Sequence, residues 1–301
     1  VINQCNTVIH YAPGVNAIDP NFTDSELDAT IAEATTLRAL CYFYLIRTFR
    51  DVPYVTSPSI DDSQNYQIAA TPFETVLESI IADVEAVKED AVRSYGEESV
   101  ENTCRITRWA CYALLADLYL WKGDWQKCID CCDMVINQKI KEYEKEYEEN
   151  PTTMTVELYD IYPLISESLS NSNYAGNAYT EIFGAGNSFE SIFELNFVNN
   201  QSVANNTVSS FYGSSSNKTG QIGAPTFLYS DAYAGLNDYF AKTDCRYLEN
   251  MSESNNKIYI SKYVNQSVSF RTSTTTGAAP TVNGEVRSSA YANWIIYRLT
   301  D

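Results

Sequence analysis

Residues 107–136, TRWACYALLADLYLWKGDWQKCIDCCDMVI, constrain the fold more than any other stretch of the chain. Apolar residues recur three and four apart on both sides of Gly123-Asp124, which predicts helices over 106–122 and 124–137. Gly123 suits the left-handed stop of the first helix and Asp124 the N-cap of the second. So short a connection makes the two antiparallel neighbours. Small side chains at Ala113, Ala116, Cys128, Cys131 and Cys132 let the backbones approach, and Tyr119, Leu120 and Trp125 fill between them.

Two further helices precede this hairpin. Residues 25–49 carry Leu27, Ile31, Ala34, Leu37, Cys41, Tyr44 and Leu45 at helical spacing, with Ser25 expected as N-cap and Asp51 with Pro53 as the stop. Thr71, Pro72 and Glu74 have the order of a capping box with proline at the first helical position, opening a helix to about residue 90. Residues 50–70 read as loop. The Gly-Asp hairpin resembles a tetratricopeptide unit and 27–90 a looser one, so the helices are expected to stack because no single hairpin buries its apolar face.

Beyond residue 139 the pattern changes. The stretch 141–150, KEYEKEYEEN, reads as acidic and solvated, and Asn, Ser, Thr and Gly dominate from about 166 to 290. Alternation and β-formers predict strands over 189–198 and 256–264. The fold class is therefore mainly α: tetratricopeptide-like helical repeats, a large irregular loop-rich region and a few short strands.

Composition excludes several functions. A net charge of −19 without a basic patch argues against a grip on nucleic acid phosphates. Eight cysteines in 301 residues, unevenly spaced, do not make a disulfide scaffold. Cys128, Cys131 and Cys132 put thiols on one helical face, but with no second cluster nearby they read as small packing residues and not as a metal site. His10, the single histidine, rules out a two-histidine metal site and leaves no histidine triad with a spare base. No motif selects a catalytic carboxylate pair among the 39 acids.

Five segments stand out together: EATTLRALCYFYLIRTFRDVPYV at 33–55, the hairpin at 107–136, ESIFELNF at 190–197, the triplet Asp244-Cys245-Arg246 and WIIYRLTD at 294–301. In this order they resemble SusD-like nutrient-binding proteins, the SusD/RagB family. The resemblance implies a non-enzymatic, lipid-anchored outer-membrane protein at the cell surface. Such a protein captures a glycan, or sometimes a peptide, for a SusC-like TonB-dependent transporter; a solenoid that binds only protein is the other alternative. It implies one SusD-like domain over 1–301: a helical part at 1–138, a ligand-binding part at 139–293 and the start of a further helix at 294–301. Neither family terminus is recognised, so a fragment is expected, with the lipid-bearing segment outside this chain. No cofactor and no metal are implied.

A sugar presents apolar C–H faces ringed by hydroxyls, so its site needs aromatic platforms beside amides or acids. Phe211, Tyr212, Phe227, Tyr229 and Tyr233 lie in loops where no periodic face requires burial, and Asn205, Asn206 and Asn217 are close in sequence. These eight are the candidate ligand-binding residues. Trp109, Trp121 and Trp125, on the hairpin, are assigned to core or inter-repeat packing, and Asp244, Arg246 and Asp51 to fixing loops.

Overall fold

A computed structural model describes residues 1–61, 66–97, 99–152, 154–166, 169–170, 173–174, 177–197, 204–212, 220–225, 250–255, 257–260, 262–263, 265–271, 281–286 and 292–301. They fall into two compact units, Val1–Glu144 and Lys145–Asp301.

The first unit is helical: α1 (Ile2–Asn16), α2 (Asp24–Phe49), α3 (Phe73–Val87), the short α4 (Glu101–Cys104), α5 (Arg108–Lys122) and most of α6 (Trp125–Glu149). α2 packs against α1, α3 and α5, and α3 also meets α5. Phe43 and Ile46 of α2, Val76, Ile80 and Val84 of α3, and Leu114, Leu115 and Leu118 of α5 form the core, none more than 1% exposed. Each is worth about 1.5–3 kcal/mol of burial, which offsets the entropy of ordering the helices.

The helix ends show how local chemistry differs from the reading of the sequence. α2 is capped by Thr23 and not by Ser25: the Thr23 hydroxyl accepts from the Glu26 amide at 3.3 Å, and the Glu26 carboxylate accepts from the Thr23 amide at 2.8 Å. Thr71 does not cap α3, because it bridges in extended conformation to Val52 through bonds of 3.2 and 2.8 Å. Instead Asp51 reaches across and accepts from the Phe73 amide at 3.0 Å. Thr23→Ala should therefore cost about 1 kcal/mol, read as a lowered thermal midpoint, with Ser25→Ala near neutral; equal losses from both would contradict this assignment.

Thr107 caps α5 by accepting from the Ala110 amide at 3.3 Å, and Gly123, at φ 79°, ends it. α6 then runs to Glu149, so residues 141–149 are helix and not an irregular acidic stretch. Glu, Lys and Tyr tolerate a helix well, and the Lys139–Glu142 pair at 2.9 Å and Lys145–Glu149 at 3.9 Å support this turn-to-turn geometry. Trp121 and Trp125 are 47% and 62% exposed and are not core residues. The Trp121 ring meets Phe43 edge-on at 6.0 Å, and the Trp109 indole donates to the Arg93 carbonyl at 3.1 Å.

The second unit is built from short elements. β1 (Val156–Tyr159) and β2 (Tyr162–Ile165) form a hairpin, and β3 (Leu169–Ser170) pairs with β4 (Asn173–Tyr174). α7 (Asn177–Tyr179) runs into a π-helical turn, Thr180–Ala185. β5 (Ser191–Leu195) is followed by α8 (Asn206–Tyr212), and β6 (Gly223–Ala224), β7 (Met251–Ser254) and β8 (Lys257–Ile260) make a sheet in the order β6-β8-β7. β9 (Asn265–Arg271) pairs with β10 (Thr281–Val286). β5 and β8 realise the two expected strands. Residues 294–298, expected to begin a helix, instead form β11 (Trp294–Arg298), antiparallel to β5. The run Trp294-Ile295-Ile296-Tyr297 is β-branched and aromatic, and β5 offers it a partner edge.

Candidate functional site: an aromatic cluster in residues 145–301

Tyr263, only 8% exposed, is the hub of the second unit's aromatic cluster. Trp294 of β11 stacks on it at 5.5 Å and 13°, Phe183 of the π-helical turn meets it edge-on at 5.6 Å, and Tyr212 of α8 tilts against it at 5.3 Å. Val208 and Tyr212, four apart on α8, share the face that turns inward, with Val208 fully buried. Phe183, Tyr212 and Trp294 stay half-buried around the buried Tyr263.

Hydrogen bonds fix this arrangement. The Tyr179 hydroxyl donates to the Lys262 carbonyl at 2.5 Å. Glu194 of β5 is fully buried and accepts from the Asn187 amide at 3.0 Å, from Asn293 Nδ2 at 2.9 Å and from the Ser191 hydroxyl. Asn293 precedes Trp294, so this carboxylate holds the strand that carries the stacking ring. Gly220 passes so near the Phe211 carbonyl that a Cβ there would collide with backbone, and Gln221 and Ile222 donate to the Ser210 and Phe211 carbonyls at 3.0 and 3.1 Å.

Burial pushes the Tyr263 hydroxyl up to about 12 and raises that of Tyr212 as well, so both stay protonated donors at neutral pH. Lys262 holds its ammonium 4.2 Å above the centre of the Phe183 ring. The set can stack on an apolar ring face and donate hydrogen bonds at its edge.

The sequence candidates meet this cluster in part. Tyr212 belongs to it, and Phe211, its chain neighbour on α8, is 37% exposed. Asn206 is exposed on the first turn of α8. Asn205 is 4% exposed, and both ends of its amide are committed: Nδ2 donates to the Ala292 carbonyl at 2.9 Å and Oδ1 accepts from the Val208 amide at 3.3 Å. Phe227, Tyr229, Tyr233, Asn217, Asp244 and Arg246 lie outside the described residues. Phe183, Tyr263 and Trp294 were not singled out from the sequence, since segments more than 100 residues apart meet here.

Elsewhere, Asp51 fixes a loop as expected, and His10 is exposed on α1 with its ring 4.7 Å from that of Tyr11. Burial pushes the thiols of Cys131 and Cys132 up to about 12 and about 11, which suits packing residues more than thiolate ligands. Among the described residues, no three His, Cys, Asp or Glu side chains are grouped to hold a metal ion. None of the described helices is long and apolar enough to cross a membrane.

Residues 1–120 match the SusD-like_3 family, described as starch-binding associating with outer membrane. SusD-like protein P2 of Formosa agariphila is 31% identical over 121 residues, 40% of this chain and 23% of that one. SusD-like protein P25 of the same organism is 25% identical over 138 residues, 46% of this chain and 25% of that one.

Among solved structures, a putative sugar binding protein from Bacteroides vulgatus aligns over 99% of this chain and 56% of its own, with TM-score 0.57 and 18% identity. A laminarin binding SusD-like protein aligns over 100% of this chain and 62% of its own, with TM-score 0.56 and 17% identity. The chain is thus SusD-like in the sequence of residues 1–120, and in fold over nearly its whole length. It spans about a quarter of the length of these two curated relatives.

Proposed function

We propose that this protein captures a glycan at the cell surface without breaking bonds in it, and hands it to a SusC-like TonB-dependent transporter in the outer membrane, to which a lipid anchor tethers it. The observation that carries this reading is the match of residues 1–120 to a starch-binding, outer-membrane-associated family. The half-buried rings of Tyr212 and Trp294, and Phe211, exposed next to Tyr212 on α8, are candidate stacking surfaces for such a ligand. Phe227, Tyr229, Tyr233, Asn206 and Asn217 remain candidates on the same ground of chemistry. Asn205 is better assigned to holding α8 against Ala292.

The test is affinity electrophoresis of the chain against plant, host and microbial polysaccharides, starch and laminarin included, with Phe211→Ala and Tyr212→Ala alongside. Expected is retardation by at least one polysaccharide, no released product, and binding about tenfold weaker once a stacking ring is removed. Retardation by none would move the reading to peptide capture or to a protein-only scaffold. Released oligosaccharide would move it to an enzyme.

A further inference from the structure

In a chain of net charge −19, Lys262 and Arg298 converge on one aromatic ring: their charged ends lie 4.2 and 5.4 Å from the centre of Phe183. Arg298 has a counter-charge in Asp301, whose Oδ1 lies 3.2 Å from its Nε. Lys262 lies over two rings, Phe183 at 4.2 Å and Tyr263 at 6.0 Å, and among the described residues no carboxylate lies within ion-pair distance of it. Burial and the neighbouring guanidinium both lower its pKa, with Asp301 opposing. An ammonium half-buried without an ion-pair partner costs free energy, and an anion bound beside it would return part of that cost.

We infer that Lys262 and Arg298 form a subsite for an acidic sugar residue, whose carboxylate or sulfate they would bind while its ring stacks on the adjoining aromatic rim. The inference rests on the glycan-capture reading and adds the ligand's charge to it. A neutral glycan has no group to match the Lys262 ammonium, whereas a charge-assisted bond to an anionic oxygen is among the stronger polar contacts. The overall negative charge repels polyanions, so affinity for one at physiological salt requires a local site of this kind.

The test uses the whole 301-residue chain, electrophoresed in gels containing polygalacturonate, a sulfated galactan or neutral laminarin, with Lys262→Gln and Lys262→Arg run in parallel. Expected is retardation in an acidic gel, about tenfold weaker for Lys262→Gln and largely restored in Lys262→Arg. Which acidic gel retards the protein tells carboxylate from sulfate. Retardation by laminarin alone, or Lys262→Gln binding the acidic polysaccharide as tightly as the unaltered chain, would overturn the subsite and leave glycan capture standing. No retardation in any gel would overturn both.

Discussion

Replacing Glu194 by Ala is expected to cost the second unit about 3–5 kcal/mol. The carboxylate is fully buried, and three donors point at it: the Asn187 amide, Asn293 Nδ2 and the Ser191 hydroxyl. Truncation leaves the Asn293 and Ser191 donors buried and the Asn187 amide part-buried without their acceptor, and each unmet buried donor costs about 1–3 kcal/mol. The Ser191 hydroxyl also meets the Ser188 hydroxyl at 3.0 Å, so part of its share is recovered. Glu194→Gln keeps one acceptor oxygen but turns an NH2 toward existing donors, so an intermediate loss is expected. Because the chain has two compact units, a single melting curve would mix them, and hydrogen exchange read peptide by peptide is the cleaner measurement. Faster exchange across β5, β11 and the 186–190 loop, with α2 and α5 unchanged, is the expected result. Exchange as slow as in the unaltered chain would remove Glu194 from its role in holding Trp294.

Why the sequence disclosed one half of the molecule better than the other follows from the range of the interactions involved. The Gly123 stop, the Thr107 cap and the apolar stripes of α2, α3 and α5 are set by residues within a turn or two of each other. The missed features are those in which a distant partner overrides a local preference. Thr71 could cap α3 but is claimed by Val52, and Asp51 caps in its place from 22 residues upstream. Residues 294–298 could begin a helix but find the edge of β5. The aromatic cluster is the extreme case: Phe183, Tyr212, Tyr263 and Trp294 lie in four separate segments, and only Tyr212 was legible as a candidate. One local signal was available, since the expected strand at 256–264 and the motif at 294–301 each carry an aromatic residue of the cluster.

The motif at 33–55, on which the family resemblance rests most heavily, turns out to be a set of structural ties. Glu33 takes a bidentate pair from Arg105, through bonds of 3.1 and 2.6 Å. The Tyr42 hydroxyl both donates to the Val55 carbonyl at 2.9 Å and accepts from its amide at 2.8 Å, and Asp51 caps α3. That segment therefore speaks for the fold. The side chains proposed for ligand choice, Phe211 and Lys262 among them, are ones that no motif marks.

Arg38→Met is expected to cost the first unit about 2–4 kcal/mol, because Arg38 is where three helices are tied together. Its guanidinium, 8% exposed, donates to Asn6 of α1 at 3.0 Å and to Asp83 of α3 at 2.9 Å. Asn6 in turn donates to the Val55 and Ser57 carbonyls at 3.0 and 3.2 Å, and the Tyr54 hydroxyl donates to Asp83 at 3.1 Å. Methionine fills much of the same space, so the loss measures the bonds more than a cavity. Asp83 keeps Tyr54 and is 32% exposed, which lets water soften the penalty and sets the estimate below that of a fully buried pair. The contrast is Arg105→Met: its pair with Glu33 has better geometry, yet Arg105 is 43% exposed, and loss of about 1 kcal/mol or less is expected. Adding Asp83→Leu to Arg38→Met should recover part of the stability, since the stranded charge is then gone. Equal losses for the two arginines, or no recovery in the double variant, would mean that burial is not what gives Arg38 its weight.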